Sequence, residues 1–420
     1  MDAAILSKLL SPDGWALLSA LPAYDERLAM RTATRLREAG ISPDLAAAAL
    51  TQSRLRTRAR AKFGDFADGM LFTADGLEQA TRLLVAALHA RRYLEAGVTT
   101  VADLTCGIGA DAMTFAGTGL RVLATEIDEV TAAIATVNLR HFPEAEVRHT
   151  DGLTLDLLAE GVDGVYADPA RRTRGGQRIF DPRAYSPPLD AVWALRETIP
   201  AVGIKVGPGI PHEGLPDDAE TQWVSVDGDV VEAGLWFGPL APEGPGRTAM
   251  VLRTVTDADG KEHTLSRTVR RLPGAAEQPE VGAVGQFLYE PDGAVIRAGL
   301  VADVAAELGG RLVDRTIAYV TTDTPAPLPG TDSGEPGTDA AVATGYRVLD
   351  TMPFGLKRLK AYLRERNVGR ITIKKRGTAV VPEQLRTQLV LAGTEEATIV
   401  LTRVAGSQQV LVVEPLGSAA

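Results

Sequence analysis

The chain has 420 residues, of which 45% are hydrophobic and 23% are charged, a balance typical of a globular protein with more than one core. Its single cysteine, Cys106, excludes a disulfide framework and any multi-thiolate metal site within one chain. No apolar run approaches the roughly 18 residues of a membrane-spanning helix, and the first residues lack the pattern of a secretory signal. The five histidines have no metal-ligand spacing. We therefore expect a cytoplasmic enzyme with no metal and no membrane partner.

The basic residues are unevenly distributed, although the net charge is −10. Residues 354–376 contain nine lysines and arginines against one acid, and residues 54–62 contain five against none. Such segregation is typical of a protein with a local phosphate-binding face. Solvated helix faces in an arginine-rich chain are the alternative interpretation.

The N-terminal residues 1–70 are predicted to form a helical module. Ser11-Pro12 and Ser42-Pro43 each look like an N-cap followed by a proline in the first helical position, where the missing N–H is not needed. Apolar residues recur at helical spacing between these two pairs, and Gly40 fits a helix end.

From residue 72 the pattern changes to alternating helices and strands. A long amphipathic helix is predicted over residues 76–96. Strands then alternate with helical stretches, at residues 98–104, 121–125, 146–149, 164–167 and 201–206. This alternation predicts parallel βαβ units and a doubly wound, Rossmann-like α/β sheet. Residues 223–226 and 230–236 predict a hairpin that forms an antiparallel edge of this sheet.

The alternation fades beyond Pro239, where a second region begins. We predict a hairpin from residues 250–256 and 263–268, a helix at 294–308, a strand at 316–321 and a linker or long loop at 324–344. A compact α/β module follows, with helices at 354–366 and 382–391 and strands at 370–374, 398–403 and 409–414. The predicted domains are 1–70, 71–240, 241–344 and 345–420.

The turn after the first predicted strand carries the most informative residues. Asp103 ends the strand, and Gly107 and Gly109 let the turn approach a ligand before a helix begins. In open α/β sheets, ligands bind beyond the carboxyl ends of the strands. Glu126 ends the next strand, where a carboxylate can accept hydrogen bonds from both hydroxyls of a ribose. These residues alone also fit a nicotinamide dinucleotide site, and hence a dehydrogenase.

Three features favour a cationic ligand over a dinucleotide. The third glycine of the dinucleotide fingerprint is missing after Gly109. Asp103 would repel a pyrophosphate and attract the cationic amino-acid end of S-adenosylmethionine. Asp151-Gly152 and Asp168-Pro169 place further acids at the ends of the next two strands. A pocket lined by acids suits this methyl donor, because it carries a sulfonium and an ammonium.

On these residues, the segment from Phe72 to Phe237 resembles the class I S-adenosylmethionine-dependent methyltransferases. Asp103 with the two glycines matches the first motif of that family, Glu126 its ribose-binding acid, and Asp151 the residue that contacts the adenine amine. The resemblance implies that the donor is held by Phe72, Thr73, Asp103, Thr105, Gly107, Gly109, Asp111, Glu126, Ile127, Asp151, Gly152 and Asp168.

Three other segments narrow the resemblance. Residues 72–81 and Asp168-Pro169-Ala170-Arg171-Arg172 look like the bacterial methyltransferases that end in a THUMP-like domain. The tail, with Ile373-Lys374-Lys375-Arg376-Gly377, resembles that domain, whose relatives are associated with RNA. This resemblance implies a methyltransferase sheet with an N-terminal helical module and a small C-terminal α/β THUMP-like domain.

Asp168-Pro169 lies where methyltransferases that act on base amines carry [D/N]-P-P-[Y/F/W]. In that motif the acid and a backbone carbonyl accept hydrogen bonds from the target amine, and the fourth residue stacks on the base. This chain has Ala170 and Arg171 in the last two places; a guanidinium can also stack on a base, and Phe180 or Tyr185 offers another stacking face. The predicted catalytic residues are Asp168 and Pro169, and the predicted substrate-binding residues are Arg171, Arg172, Lys205, Lys374, Lys375 and Arg376.

The function that these residues favour is methylation of a base nitrogen of structured RNA, either tRNA or rRNA, with S-adenosylmethionine as the donor. Methyl transfer is an in-line displacement, so the protein must align the nucleophile with the methyl group and disperse a proton. Two alternatives stay open: a methyltransferase for a small molecule or a protein side chain, and a non-catalytic RNA-binding protein with a methyltransferase fold. Cys106 is expected to pack in the motif turn and not to act as a nucleophile.

Overall fold

A computed structural model describes residues 2–170, 184–257, 259–271, 279–326 and 340–416. The chain divides into two compact units. The first comprises Met1–Val206 and Leu235–Gly244, and the second comprises Gly207–Gly234 and Pro245–Ala420.

The first unit begins with a group of helices, as the sequence predicts. Its described helices are α1 (Ala3–Leu10), α2 (Pro12–Ala20), α3 (Ala29–Glu38), α4 (Pro43–Phe63), α5 (Ala74–Gln79), α6 (Leu83–Glu95), α7 (Ala110–Gly117), α8 (Glu129–Asn138) and α9 (Leu189–Trp193). The predicted helix starts are confirmed, because Pro12 and Pro43 are the first residues of α2 and α4. The hydroxyl of Ser11 accepts a hydrogen bond from the Gly14 N–H and thereby caps α2.

The single helix predicted over residues 76–96 is wrong. Two helices, α5 and α6, replace it, and the backbone of Ala80 and Arg82 between them is extended. The physical reason lies on α4, where the Lys62 ammonium donates hydrogen bonds to the carbonyls of Leu77, Glu78 and Ala80. These carbonyls therefore do not need the next turn of a continuous helix.

The sheet of the first unit is parallel and doubly wound, which confirms the predicted fold class. Its strands are β1 (Thr100–Asp103), β2 (Arg121–Glu126), β3 (Ala145–His149), β4 (Gly164–Ala167) and β5 (Ala201–Val206), in the spatial order β3-β2-β1-β4-β5. Successive strands run outward from β1 in one direction and then outward from β4 in the other. The carboxyl ends of β1 and β4 are thus the switch point, where such sheets bind ligands.

One hydrophobic core serves both the N-terminal helices and this sheet. Leu55 and Phe63 of α4 belong to the same buried cluster as Phe115 of α7, Val122 of β2 and Tyr166 of β4. The aromatic rings of Phe63 and Phe72 lie 5.6 Å apart within it. Because they share this core, the N-terminal helices and the sheet stabilise each other.

The second unit contains most of the remaining strands. Its described elements are β6 (Glu220–Val226), β7 (Asp229–Trp236), which ends in the first unit, β8 (Gly246–Thr256), β9 (Glu262–Arg270), β10 (Phe287–Pro291), α10 (Gly293–Ala298), α11 (Val301–Glu307), β11 (Arg311–Asp314), β12 (Ile317–Thr322), β13 (Ala343–Pro353), α12 (Leu356–Glu365), β14 (Val368–Lys375), α13 (Pro382–Leu389), β15 (Glu395–Val404) and β16 (Ser407–Pro415).

Both hairpins predicted before residue 270 are present, but one prediction about them is wrong. The β6–β7 hairpin does not form a sheet edge, because β6 also pairs in parallel with β8, which in turn pairs antiparallel with β9. The helix predicted over 294–308 is also wrong. It ends at Ala298, where Gly299 adopts a left-handed conformation that a helix C-terminus favours and α11 begins anew.

A seven-stranded sheet in the order β11-β12-β10-β13-β16-β15-β14 forms the rest of the second unit. The α/β module predicted from residue 354 is confirmed as α12, β14, α13, β15 and β16. Leu359 and Leu363 of α12 and Leu385 and Leu389 of α13 pack into one core with this sheet. Sequence patterns miss β10, β11 and β13, and residues 327–339 of the predicted linker lie outside the described residues.

Candidate active site

The turn between β1 and α7 forms the centre of the candidate site. Gly107 and Gly109 have φ values of 54° and 90°, a left-handed region that favours glycine. A Cβ atom added at Gly107 would meet no atom of the described ranges within 4 Å, so none of those residues covers the backbone there. The turn therefore offers close approach to a ligand at the start of α7, as the sequence predicts for these glycines.

Asp103, at the end of β1, is an acid without a complete set of partners. Its side chain is 1% exposed; Oδ1 accepts a hydrogen bond from the Thr105 N–H at 3.2 Å, whereas Oδ2 has no hydrogen-bond partner among the residues that the structure describes. Burial and the neighbouring charge of Asp111 raise the pKa of this carboxyl well above its ordinary value. A buried carboxylate oxygen without a partner fits a cationic ligand group, such as the ammonium of S-adenosylmethionine.

Glu126 extends the acidic rim from the end of β2. Its carboxylate accepts hydrogen bonds from the N–H groups of Gly107, at 3.1 Å, and Asp128, at 2.9 Å. Burial raises the pKa of Glu126. The next residue, Ile127, leaves 64% of its surface exposed. An acid beside an exposed apolar side chain fits a ribose and the face of a base.

Asp151 and Gly152 follow β3 at the same edge of the sheet. Oδ1 of Asp151 accepts a hydrogen bond from the Leu153 N–H at 3.0 Å. Gly152 is packed closely, since a Cβ atom there would lie 2.5 Å from Oγ1 of Thr125. The predicted acids therefore follow adjacent parallel strands, at the carboxyl ends where the sequence places them.

Phe72 and Thr73 lie in the segment before α5. Phe72 is fully buried, and its backbone N–H and carbonyl pair with the side-chain amide of Gln52 on α4, at 3.0 and 2.7 Å. The Thr73 hydroxyl accepts a hydrogen bond from the Gly76 N–H and caps α5. The side chain of Phe72 thus belongs to the core, and Gln52 is a supporting residue that sequence patterns miss.

Asp168, after β4, has a well-defined partner. The Lys205 ammonium donates a hydrogen bond to Oδ2 of Asp168 at 2.5 Å and another to the Thr81 hydroxyl at 3.0 Å. The backbone N–H of Asp168 donates to Oγ1 of Thr105 at 2.6 Å. Lys205, predicted to bind substrate, is 7% exposed and lies against the predicted catalytic acid.

Asp111, a predicted donor ligand, is held from inside the protein. It accepts hydrogen bonds from the Thr81 hydroxyl at 2.7 Å and contacts Nδ1 of His89 at 2.8 Å. Burial alone would raise its pKa, but the His89 contact, the Lys205 charge and the Thr81 hydrogen bond together lower the pKa. Sequence patterns do not predict these roles: Thr81 is the last residue of the segment 72–81 that resembles the family, but nothing there pairs it with Asp111, and nothing in the local sequence marks His89.

The remaining predicted residues fall into two groups. Arg171, Arg172 and Phe180 lie outside the described residues. In the second unit, Lys374 and Arg376 form ion pairs with Glu290 at 2.9 and 3.2 Å, and the Lys375 ammonium donates to the Val380 carbonyl. Pro169 follows Asp168 directly, and Tyr185 is 8% exposed.

Cys106 packs within the motif turn. Its thiol is buried, and burial raises its pKa well above the ordinary value, which disfavours the reactive thiolate. Among the described residues, no group of three or more His, Cys, Asp or Glu side chains is arranged to bind a metal. Within the same part of the chain, every helix is too short or too polar to cross a bilayer.

Two segments of the chain match family models. Residues 343–415 match the family described as THUMP domain-like, and these residues cover β13 to β16. Residues 2–59 match a domain of unknown function, DUF8688, which covers α1 to α3 and most of α4.

Relatives and a solved structure match far more of the chain. A protein named an S-adenosylmethionine-dependent methyltransferase, from two strains of Mycobacterium tuberculosis, is 33% identical over 371 residues, which are 84% of this chain and 92% of the relative. A candidate methyltransferase of solved structure from Porphyromonas gingivalis W83 is 21% identical and has a TM-score of 0.66. It covers 93% of this chain and 99% of its own, which supports the fold. The chain therefore belongs to the S-adenosylmethionine-dependent methyltransferase family that includes the mycobacterial relative.

Proposed function

We propose that the protein methylates a base nitrogen of structured RNA, tRNA or rRNA, in the cytoplasm. The observation that carries the acceptor chemistry is the Asp168 carboxylate, which follows β4 at the switch point and is held by Lys205. A carboxylate there can accept a hydrogen bond from an exocyclic amine and keep the nitrogen lone pair aimed at a methyl group. The sequence Asp168-Pro169 resembles the corresponding part of the base-amine motif.

Different residues of the site bind the methyl donor and the methyl acceptor. We assign the amino-acid end of S-adenosylmethionine to Asp103, the ribose to Glu126 and the adenine to Ile127 and Asp151. When bound, this cofactor supplies an activated methyl group. The protein's part is to orient both reactants at the carboxyl edge of the sheet and to exclude competing contacts.

Helix α12 is the best-supported contact for RNA phosphates. Leu359 and Leu363 are buried on one face, whereas Lys357, Arg358 and Arg364 are exposed on another. Within the described part of the chain, none of these three cations forms an ion pair. Lys374 and Arg376, which the sequence also suggests, are instead paired with Glu290. The THUMP-like resemblance of this segment, whose relatives are associated with RNA, supports the same assignment.

The basic run on α4 is a weaker candidate. Arg56 is buried and donates to the Met70 carbonyl, Lys62 binds three carbonyls before α6, and Arg60 pairs with Asp65 and Asp68. Most of this run therefore supports the local fold and leaves few cations for phosphates.

The test is methyl transfer from radiolabelled S-adenosylmethionine to RNA isolated from cells that lack the gene. We expect the label to enter tRNA or rRNA from these cells and not RNA from wild-type cells, which is already methylated. Digestion to nucleosides and mass spectrometry then identifies the base and the atom. Label that enters only the protein or the small-molecule fraction of the same cells would contradict the proposal.

A further inference from the structure

A continuous chain of buried polar groups lies behind Asp168. It runs from Asp168 to Lys205 (2.5 Å), from Lys205 to the Thr81 hydroxyl (3.0 Å), from Thr81 to Asp111 (2.7 Å) and from Asp111 to His89 (2.8 Å). Thr81, His89, Asp111 and Lys205 are between 3% and 7% exposed. This series of hydrogen bonds therefore connects Asp168, just after β4, with β5, α7, α6 and the break before α6.

The hydrogen bonds of this chain have a fixed direction. An ammonium can only donate, so Lys205 donates to both Asp168 and Thr81. The Thr81 hydroxyl accepts from Lys205 and donates its own proton to Asp111. Thr81 is therefore the hydrogen-bonded link between Lys205 and Asp111. A hydroxyl at this position is required, because a methyl group can neither accept nor donate.

The position of Thr81 is itself set by the helix break. Lys62 donates to the carbonyls of Leu77, Glu78 and Ala80, which end α5 just before Thr81. Were α5 and α6 continuous, the backbone of Thr81 would be helical. Because of the break, the Thr81 side chain is buried in the first unit, where it contacts Asp111 and Lys205.

We propose that Thr81, Asp111 and His89 are positioning residues for methyl transfer, which act through Lys205 to fix the orientation of the Asp168 carboxylate. The long side chain of a lysine can rotate, and each hydrogen-bond acceptor of its ammonium restricts that rotation. A second anchor at Thr81, backed by Asp111 and His89, restricts that rotation and with it the direction of Oδ2 of Asp168. This inference rests on the acceptor role proposed for Asp168.

Two variants of one residue test it: Thr81→Val keeps the shape of the side chain and removes the hydroxyl, whereas Thr81→Ser keeps the hydroxyl. We expect Thr81→Val to lower kcat at least tenfold, with the KM for RNA and the Kd for S-adenosylhomocysteine within about twofold of the wild type. Thr81→Ser is expected to restore most of kcat. Calorimetric titration gives the Kd, and labelled methyl transfer to RNA from cells lacking the gene gives kcat and KM.

Crystal structures of both variants with S-adenosylhomocysteine test the same inference without any acceptor. In Thr81→Val we expect the Lys205 ammonium to rotate while it stays paired with Asp168, and Oδ2 of Asp168 to turn with it; in Thr81→Ser both groups should keep their positions. Unchanged positions of the ammonium and of Oδ2 in Thr81→Val, a full kcat in that variant, or a kcat that Thr81→Ser does not restore would overturn the inference. If the wild type methylates no RNA, the proposed function fails, and the crystal structures alone decide the positioning role.

Discussion

Asp103 and Asp111 are both buried acids of the first unit, yet their surroundings differ. In the described part of the chain, one oxygen of Asp103 has no hydrogen-bond partner, and burial raises the pKa of its carboxyl well above the ordinary value. Asp111 is surrounded by Thr81, His89 and the charge of Lys205, which together lower the pKa of its carboxyl in spite of burial. We infer that Asp103 pairs with a cationic ligand when one is bound, whereas the partners of Asp111 are side chains of the protein itself.

The replacement Asp103→Asn separates donor binding from stability. We expect the affinity for S-adenosylhomocysteine to fall at least about 100-fold, because a neutral amide no longer pairs with the ammonium of the ligand. The melting temperature of the ligand-free protein should rise, since a buried charge without a partner is removed. Isothermal titration and scanning calorimetry measure the two effects.

The effect of Asp103→Asn on stability should also depend on pH. An acid whose pKa is raised in the folded state destabilises the fold as the pH rises from its ordinary pKa to the raised one. The increase in melting temperature caused by Asp103→Asn should therefore be largest at alkaline pH and absent at acid pH. The exposed Asp190, exchanged in Asp190→Asn, serves as the matched control. Equal ligand affinities of Asp103→Asn and the wild type would show that the ammonium binds elsewhere.

At the scale of elements, the break between α5 and α6 shows a long-range contact overruling a local pattern. The apolar spacing of residues 76–96 is helical throughout, and neither proline nor glycine marks residues 80–82. The break follows from Lys62, which belongs to α4 and is remote in sequence. Burial lowers the pKa of Lys62 to about 8, so near neutral pH its ammonium is still the predominant form.

The replacement Lys62→Met should therefore destabilise the first unit. It leaves the carbonyls of Leu77, Glu78 and Ala80 without their donor, for which we expect a loss of about 2–4 kcal/mol in the free energy of unfolding. Urea denaturation measures this loss. Arg58→Met, on the exposed side of the same helix, is the control and should change the stability by less than about 0.5 kcal/mol. A stable Lys62→Met protein would mean that the helix break needs no cap from α4.

Across the whole chain, the net charge is negative although one helix exposes several cations. The net charge of −10 opposes binding of a polyanion, yet α12 exposes Lys357, Arg358 and Arg364 together. Because phosphate contacts depend on local cations and on the release of counterions, a net negative protein can bind RNA through one basic element.

The double replacement Lys357→Glu/Arg364→Glu tests this surface. The two residues are seven positions apart on α12 and share a face. We expect the affinity for RNA to fall and the salt dependence of binding to become less steep by about two phosphate contacts, with the affinity for S-adenosylhomocysteine unchanged. Filter binding at several salt concentrations measures this. Arg386→Glu on α13 is the charge control and changes the net charge by half as much, so a control effect of half the size or more would mean that only overall charge matters.

The parallel sheet and the acids at its edge could be predicted from the sequence because both depend on local order. Strands alternate with helices along the chain, and parallel strands bring Asp103, Glu126, Asp151 and Asp168 to one edge wherever the helices pack. The helices and strands from residue 354 onward were predictable for the same reason. Their apolar spacing agrees with the core that they form.

The packing of several elements against one another determines which side chains meet behind that edge. Lys62, Thr81, His89 and Lys205 belong to different elements, and Lys205 lies more than a hundred residues after the other three. No spacing rule relates the four residues, yet all contact the break before α6 or the network that it orders. The same holds for Glu290, which pairs with Lys374 and Arg376 and removes them from the set of available cations. A sequence pattern records the period of one element, whereas the partner of a buried charge is chosen by the packing of several.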